Sequence, residues 1–170
     1  LFIRKDFEKI SFWANYTLSW SWRQFENINF GEKFPFKYDR RHNLSLAIVY
    51  KPKSNIDIGA TWIMCSGSWV TLPEQSFFGY YSYIDFNVEN GNTSLFYYAC
   101  KNNYRLPLYH RLDISINFTK EKKNRTRIWS LGVYNAYNRL NAFYIEKADY
   151  GYNKVCIFPI MPFVSYSIKF

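Results

Sequence analysis

Leu108-Tyr109-His110-Arg111-Leu112-Asp113-Ile114-Ser115-Ile116-Asn117-Phe118-Thr119 is the stretch that decides the fold. Leu112, Ile114, Ile116 and Phe118 fall on one parity, and Arg111, Asp113, Ser115, Asn117 and Thr119 on the other. Period-2 alternation with β-branched and aromatic residues predicts a strand with one greasy and one polar face. A strand of this length exceeds the usual globular one of about five or six residues and suits the roughly 9–11 that cross a bilayer at a tilt.

The same alternation recurs outward from that stretch and predicts six strands. The first is Ile10 to Arg23, with Phe12, Ala14, Tyr16, Leu18, Trp20 and Trp22 on one face. His42 to Lys51 and Ile56 to Cys65 follow, with Leu44, Leu46, Ile48 and Tyr50, then Ile56, Ile58, Ala60, Trp62 and Met64, on their apolar sides. After Leu108 to Thr119 come Arg127 to Tyr137, with Trp129, Leu131 and Val133, and Phe163 to Phe170, with Val164, Tyr166, Ile168 and Phe170. Pro107, Pro159 and Pro162 lack an N–H and so favour strand starts near 108 and 163. The connection 138–158 can itself form a hairpin through Phe143, Tyr144 and Ile145.

Connections alternate in length: long over 25–41, short over 52–55, long over 66–107, short over 120–126, long over 138–162. Up-and-down transmembrane barrels do this, with short periplasmic turns and long outer loops. Six strands would start and end the chain on the periplasmic side. A soluble sandwich also alternates, with its apolar face on a core. Aromatic placement favours the membrane. Trp20, Trp22 and Phe25 at one strand end, and Tyr50 and Trp129 at others, suit an interfacial girdle.

Composition narrows the classes. The 170 residues are 22% aromatic, which is foreign to disordered chains, and Gly 7 and Pro 6 exclude collagen-like and low-complexity classes. The longest uncharged stretch, Ile58 to Pro73, falls short of a transmembrane helix. The beginning, Leu1 to Asp6, has no Met, apolar signal core or cleavage site, so the chain is expected to start mid-sequence or after a removed leader. A net charge of +9 fits nucleic acid, lipopolysaccharide or phospholipid headgroups equally. Cys65, Cys100 and Cys156, with no CxxC, and the distant His42 and His110 make neither a zinc site nor a disulfide framework.

Several stretches resemble the barrel of TonB-dependent outer-membrane receptors, especially the Bacteroidetes type. They are 15–19 (NYTLS), 28–31 (INFG), Phe34-Pro35 and 38–46 (YDRRHNLSL). The most specific is 103–115 (NYRLPLYHRLDIS), similar to a segment late in that barrel. Residues 133–138 (VYNAYN) resemble its penultimate strand, and 158–170 (FPIMPFVSYSIKF) its last, with the terminal Phe. The similarity runs from about residue 10 to the end.

The resemblance implies an all-β, antiparallel up-and-down segment over 1–170, part of a roughly 22-stranded barrel whose plug domain and earlier strands are absent. It implies import of a bulky scarce nutrient (siderophore-iron, a cobalamin-like cofactor or an oligosaccharide), with no bond made or broken and no cofactor. The implied partners are the rest of the barrel and plug, the inner-membrane TonB complex through the absent N-terminal segment, the barrel assembly machinery and outer-membrane lipid, and not nucleic acid.

Arg111, Asp113 and Asn117 are the lumen-facing candidates. Arg111 and Asp113 could line a substrate-filled lumen or meet the plug; equally, they could be a charge pair that fixes register. His110, on the other parity, suits a girdle near the outer rim. Trp69, Tyr80, Tyr81 and Tyr97 lie in the aromatic connection and are candidates for stacking on ligand, against self-packing of a long loop. Phe170 is the candidate sorting signal. A small complete outer-membrane barrel or adhesin is the rival if the long connections add strands. A soluble aromatic-rich carbohydrate-binding β-sandwich is the other.

Overall fold

The structure, a computed structural model, describes residues 1–79, 93–148 and 151–170. Seven strands form one antiparallel sheet: β1 (Phe2–Asp6), β2 (Ile10–Leu18), β3 (His42–Lys53), β4 (Ile56–Cys65), β5 (Tyr109–Lys122), β6 (Arg125–Tyr134) and β7 (Met161–Lys169). Each pairs with its neighbour in sequence, so the sheet is a meander, and it is not closed into a barrel. Strands joined in order keep loop closure local, which is the simplest route to an antiparallel sheet.

The sheet has one strand more than the alternation predicts. β1 reads FIRKD, with Lys5 on the same parity as Ile3, so no apolar face announces it. Pairing makes it a strand: Ile3 lies opposite Ala14, Lys5 opposite Phe12, and the Leu1 ammonium donates to the Tyr16 carbonyl at 2.8 Å. The seventh strand also places Leu1 at the long-connection end of the sheet, and not at the short-turn end that six strands imply.

The first predicted strand is shorter than its alternation. β2 leaves the ladder after Leu18, and Ser21 donates its N–H to the Asp39 carboxylate at 2.8 Å instead of to a neighbouring strand. Trp22 and Arg23 then pair with Pro35 and Phe34 in a separate ribbon. Trp22 and Phe25 are therefore not rim residues of the sheet.

Prolines fall where a missing donor costs least. Pro52 sits in the irregularity between Tyr50 and Lys53 of β3, and Pro162 sits in β7, an edge strand that begins two residues earlier than predicted. Gly132 of β6 stands opposite Phe163 of β7; a Cβ there would lie 2.4 Å from the ring, so only glycine lets Phe163 cover this strand.

The chain divides into two compact units. The first comprises Leu1–Trp20, Arg40–Gly67 and Leu106–Phe170, holding the sheet and the hairpin of Ala142–Lys147 with Tyr152–Cys156. That hairpin is the one anticipated within 138–158. The second comprises Ser21–Asp39 and Ser68–Arg105. It holds three small ribbons: Trp22–Arg23 with Phe34–Pro35, Trp69–Val70 with Tyr104–Arg105, and Gln75–Gly79 with Thr93–Tyr97. Its centre is Asp39, 3% exposed, which accepts from Ser21 N–H, the Arg105 guanidinium at 2.9 Å and the Trp69 indole at 3.4 Å.

Neither unit has a core of ordinary size. Among the described residues only Phe34, Cys65 and Leu106 are fully buried apolar side chains.

Candidate functional site

Register turns the strand alternation into continuous rows. One row runs Phe12, Ile48, Ala60, Ile114, Val133, Pro162, and the next Ile10, Tyr50, Ile58, Ile116, Leu131, Val164. Above them run Ala14, Leu46, Trp62 and Leu112; below them Ile56, Phe118, Trp129 and Tyr166. A single apolar face results, and nothing in the first unit covers it: Ile114 is 42%, Leu131 40% and Val164 67% exposed. From His110 to Phe118 the face measures about 27 Å along the strand, or roughly 21 Å for a strand tilted by about 40°. The apolar band of outer-membrane barrels is about 25 Å tall.

Ring systems with polar edges bound this face at both ends. At the long-connection end, Tyr16 Oη lies 2.8 Å from His42 Nδ1, and His110 Nδ1 lies 2.7 Å from Tyr137 Oη, with Trp62 next to His110. At the short-turn end stand Tyr50 and the pair Trp129–Tyr166, whose rings are 4.5 Å apart. Aromatic side chains with one apolar and one hydrogen-bonding edge fit a membrane–water interface. His110, Tyr50 and Trp129 all lie at the ends of the apolar face.

The opposite face carries the polar network. Arg111 Nε donates to Asp113 Oδ2 at 2.9 Å, and its Nη1 donates to Tyr109 Oη at 3.1 Å and to Tyr134 Oη. The guanidinium also lies over the Tyr134 ring, 4.1 Å from its centroid. Asp113 Oδ1 accepts the Asn135 N–H at 3.0 Å at the point where β6 leaves the ladder. Asn135 is 1% exposed with φ +54°, a conformation that Asn tolerates better than most residues. Its side chain donates to the Arg139 and Phe158 carbonyls and accepts from the Arg139 N–H. Asn141 does the same for His110, bonding both its N–H and its carbonyl where β5 is paired with β4 but not yet with β6.

Beside this network is a cavity of about 410 Å³, lined by Arg40, Ile63, Tyr109, Arg111, Asn141 and Phe158 among others. Arg111 is engaged by three side chains. Arg40 donates to Cys65 Sγ at 2.9 Å, and its guanidinium lies 6.0 Å from the Tyr109 ring centroid. Two guanidinium groups and a tyrosine beside apolar walls can hold a carboxylate or a hydroxyl-rich group; nothing in the arrangement is a nucleophile with its base.

The predicted site residues divide accordingly. Arg111 and Asp113 are joined. Asn117 is on the same face, opposite Asp57 and Ser130, and lines a second hollow of about 390 Å³ with Asp57, which Asp113 and Tyr134 of the arginine network also line. Trp69 is half-buried, with the Arg105 guanidinium 4.6 Å from its ring centroid, so its indole serves the Asp39 cluster. Tyr97 is 50% exposed on its ribbon. Tyr80 and Tyr81 lie outside the described residues. Phe170 ends the chain 90% exposed, with Arg125 5.3 Å from its ring centroid.

Sequence reasoning missed Tyr109, Tyr134, Asn135 and Arg40 as parts of the site, and in the second unit an open hollow of about 530 Å³ lined by Glu26, Phe30, Tyr98 and Lys101 among others. The paired asparagines of 133–138 were the available signal for the first group, since Asn135 and Asn138 both take positive φ. Among the described residues no three His, Cys, Asp or Glu side chains gather to hold a metal, and the three cysteines are free. Comparison of the chain with family models, with curated proteins and with solved structures finds no match.

Proposed function

We propose that the chain is a wall segment of an outer-membrane barrel of the TonB-dependent receptor kind, serving uptake of a bulky scarce nutrient such as siderophore-iron, a cobalamin-like cofactor or an oligosaccharide. The observation that carries this reading is the apolar face of β2 to β7, continuous in register, open to the surroundings, near the height of a hydrocarbon layer and edged by Tyr, Trp and His at the long-connection end and by Tyr and Trp at the other. In water such a face would be a large adhesive patch. In acyl chains it is ordinary protein surface.

The polar face is then the lumen wall. Arg111 is a positioning residue there: Asp113 and the two tyrosines hold it, and it in turn fixes how β6 enters its connection. Arg40, Tyr109 and the cavity beside them supply donors and rings for a ligand too polar to cross lipid. Capture is a binding step and needs no covalent chemistry from these residues. A plug and an inner-membrane energy source are the partners this reading requires, and strand ends such as Phe170 would meet the assembly machinery.

Cell fractionation and detergent dependence test the reading together. The expected result is recovery with outer membranes and a monodisperse, β-rich preparation only in detergent or lipid. A chain that is monodisperse in plain buffer and melts cooperatively there would overturn it.

A further inference from the structure

The apolar face does not end on neutral rings at the short-turn side. One pleat beyond Phe118 and Trp129, on the same face, β5 presents Lys120 and then Lys122, and β6 presents Arg127 and then Arg125. Lys120 pairs with Arg127 and Lys122 with Arg125, so four cations stand as two cross-strand pairs. Like charges placed directly opposite each other destabilise a sheet, so the arrangement calls for anions from elsewhere.

Among the described residues no carboxylate is within ion-pair distance of these cations. Glu121 has the other parity, and Asp57 is on the polar face, where Lys51 holds it at 3.5 Å. Among the described residues none of the four cations makes a salt bridge, and the Arg127 Nε is buried without a hydrogen-bond partner. Lys120, Lys122 and Arg125 are exposed, with stems long enough to run along the apolar band and place their charges at its border.

Resting on the membrane reading above, we propose that this rim binds the phosphate groups of anionic phospholipids in the leaflet at the short-turn end. The geometry is that of an interface: acyl chains would lie against Phe118, Trp129 and Val164, and phosphodiester oxygens would meet the cations one step further along. Arginine offers its planar fork to a phosphate and lysine a point charge. The site would fix the depth of the sheet in that leaflet.

Flotation of the full chain with vesicles tests the proposal. Phosphatidylcholine vesicles are compared with vesicles in which about a third of the lipid is phosphatidylglycerol. Cations at a lipid surface set an expected preference for the anionic vesicles on the order of 10–100-fold for three residues. The variant Lys120→Gln/Lys122→Gln/Arg127→Gln should bring the ratio close to one. The equally charged control Lys33→Gln/Lys37→Gln/Lys154→Gln should keep most of it. Equal loss in both variants would mean that net charge alone acts, and would overturn the proposal. Inorganic phosphate, added at the concentration of the anionic lipid, should leave the preference intact; its loss would assign the rim to free phosphate. Equal flotation of the unaltered chain with both vesicles overturns the rim while leaving the membrane reading in place. Failure to float with either overturns both.

Discussion

The two faces of the sheet share one backbone ladder and treat their side chains in opposite ways. On the polar face side chains are occupied by one another: Arg111 by Asp113, Tyr109 and Tyr134, and Asp113 by the Asn135 N–H as well. On the apolar face they touch neighbours in the same row and then stop, with Ile114, Leu131 and Val164 open to whatever lies beyond. The difference teaches that the network around Arg111 is bonded within the chain, whereas the apolar face is left to the surroundings. Soluble proteins do the reverse first, because burial of apolar area is the main favourable term in folding.

The sharpest way to break the contrast is one lysine on each face. Leu131→Lys puts a charge at mid-height of the apolar face and should cost about 2–4 kcal/mol when the chain is folded in lipid. The check is denaturant unfolding from bilayers, and a neutral result would remove the lipid-facing assignment. Asp113→Ala is next. It removes the carboxylate from Arg111, which keeps Tyr109 and Tyr134, and leaves the buried Asn135 N–H without its acceptor, for an expected loss of about 1–3 kcal/mol. Asp113→Asn, which keeps an acceptor, should lose less than Asp113→Ala in the same unfolding measurement.

Gly132→Ala follows. Its Cβ would lie 2.4 Å from the Phe163 ring and 2.8 Å from the Ile114 carbonyl oxygen, which predicts a loss of about 1–2 kcal/mol by overpacking. Phe163→Ala in the same chain should return part of it, since the ring can be removed but the carbonyl cannot; a double-mutant cycle reads the coupling. The smallest effect belongs to Ser165→Lys, on the polar face one residue from Val164. It should stay within about 0.5 kcal/mol, and the comparison with Leu131→Lys measures how differently the two faces are solvated.

Much of this was legible in the sequence, and the limits are physical. Parity fixed which residues share a face in β3 to β7, because a pleated strand leaves no other choice once alternation is clean. The alternation of long and short connections is likewise present, and β1 extends it with a short turn over 7–9. β1 itself was not legible, since Lys5 interrupts its apolar parity and only pairing with β2 makes it a strand. The overrun of β2 has the opposite cause: Trp20 and Trp22 continue the pattern, but the Asp39 carboxylate takes the Ser21 N–H from 18 residues away in sequence.

The site divides on the same principle. Arg111 and Asp113 are two residues apart on one strand, so their meeting can be read locally. Tyr134 and Asn135 join them across a register that a single sequence does not disclose. Arg40 arrives from the connection that ends at β3. The basic rim is a similar case: 120–127 reads as a charged turn, and only the pairing of Lys120 with Arg127 shows that the cations share a face with the greasy rows.

Counting the strands adds one more consequence. An antiparallel ladder reverses direction at each step, so with seven members the first and last point the same way. Rolling this sheet until β1 met β7 would make a parallel seam, foreign to an up-and-down cylinder. Copies arranged around a common axis would meet with the same mismatch, because rotation about that axis preserves direction. A cylinder in which every neighbouring pair is antiparallel must therefore combine this ribbon with an odd number of further strands.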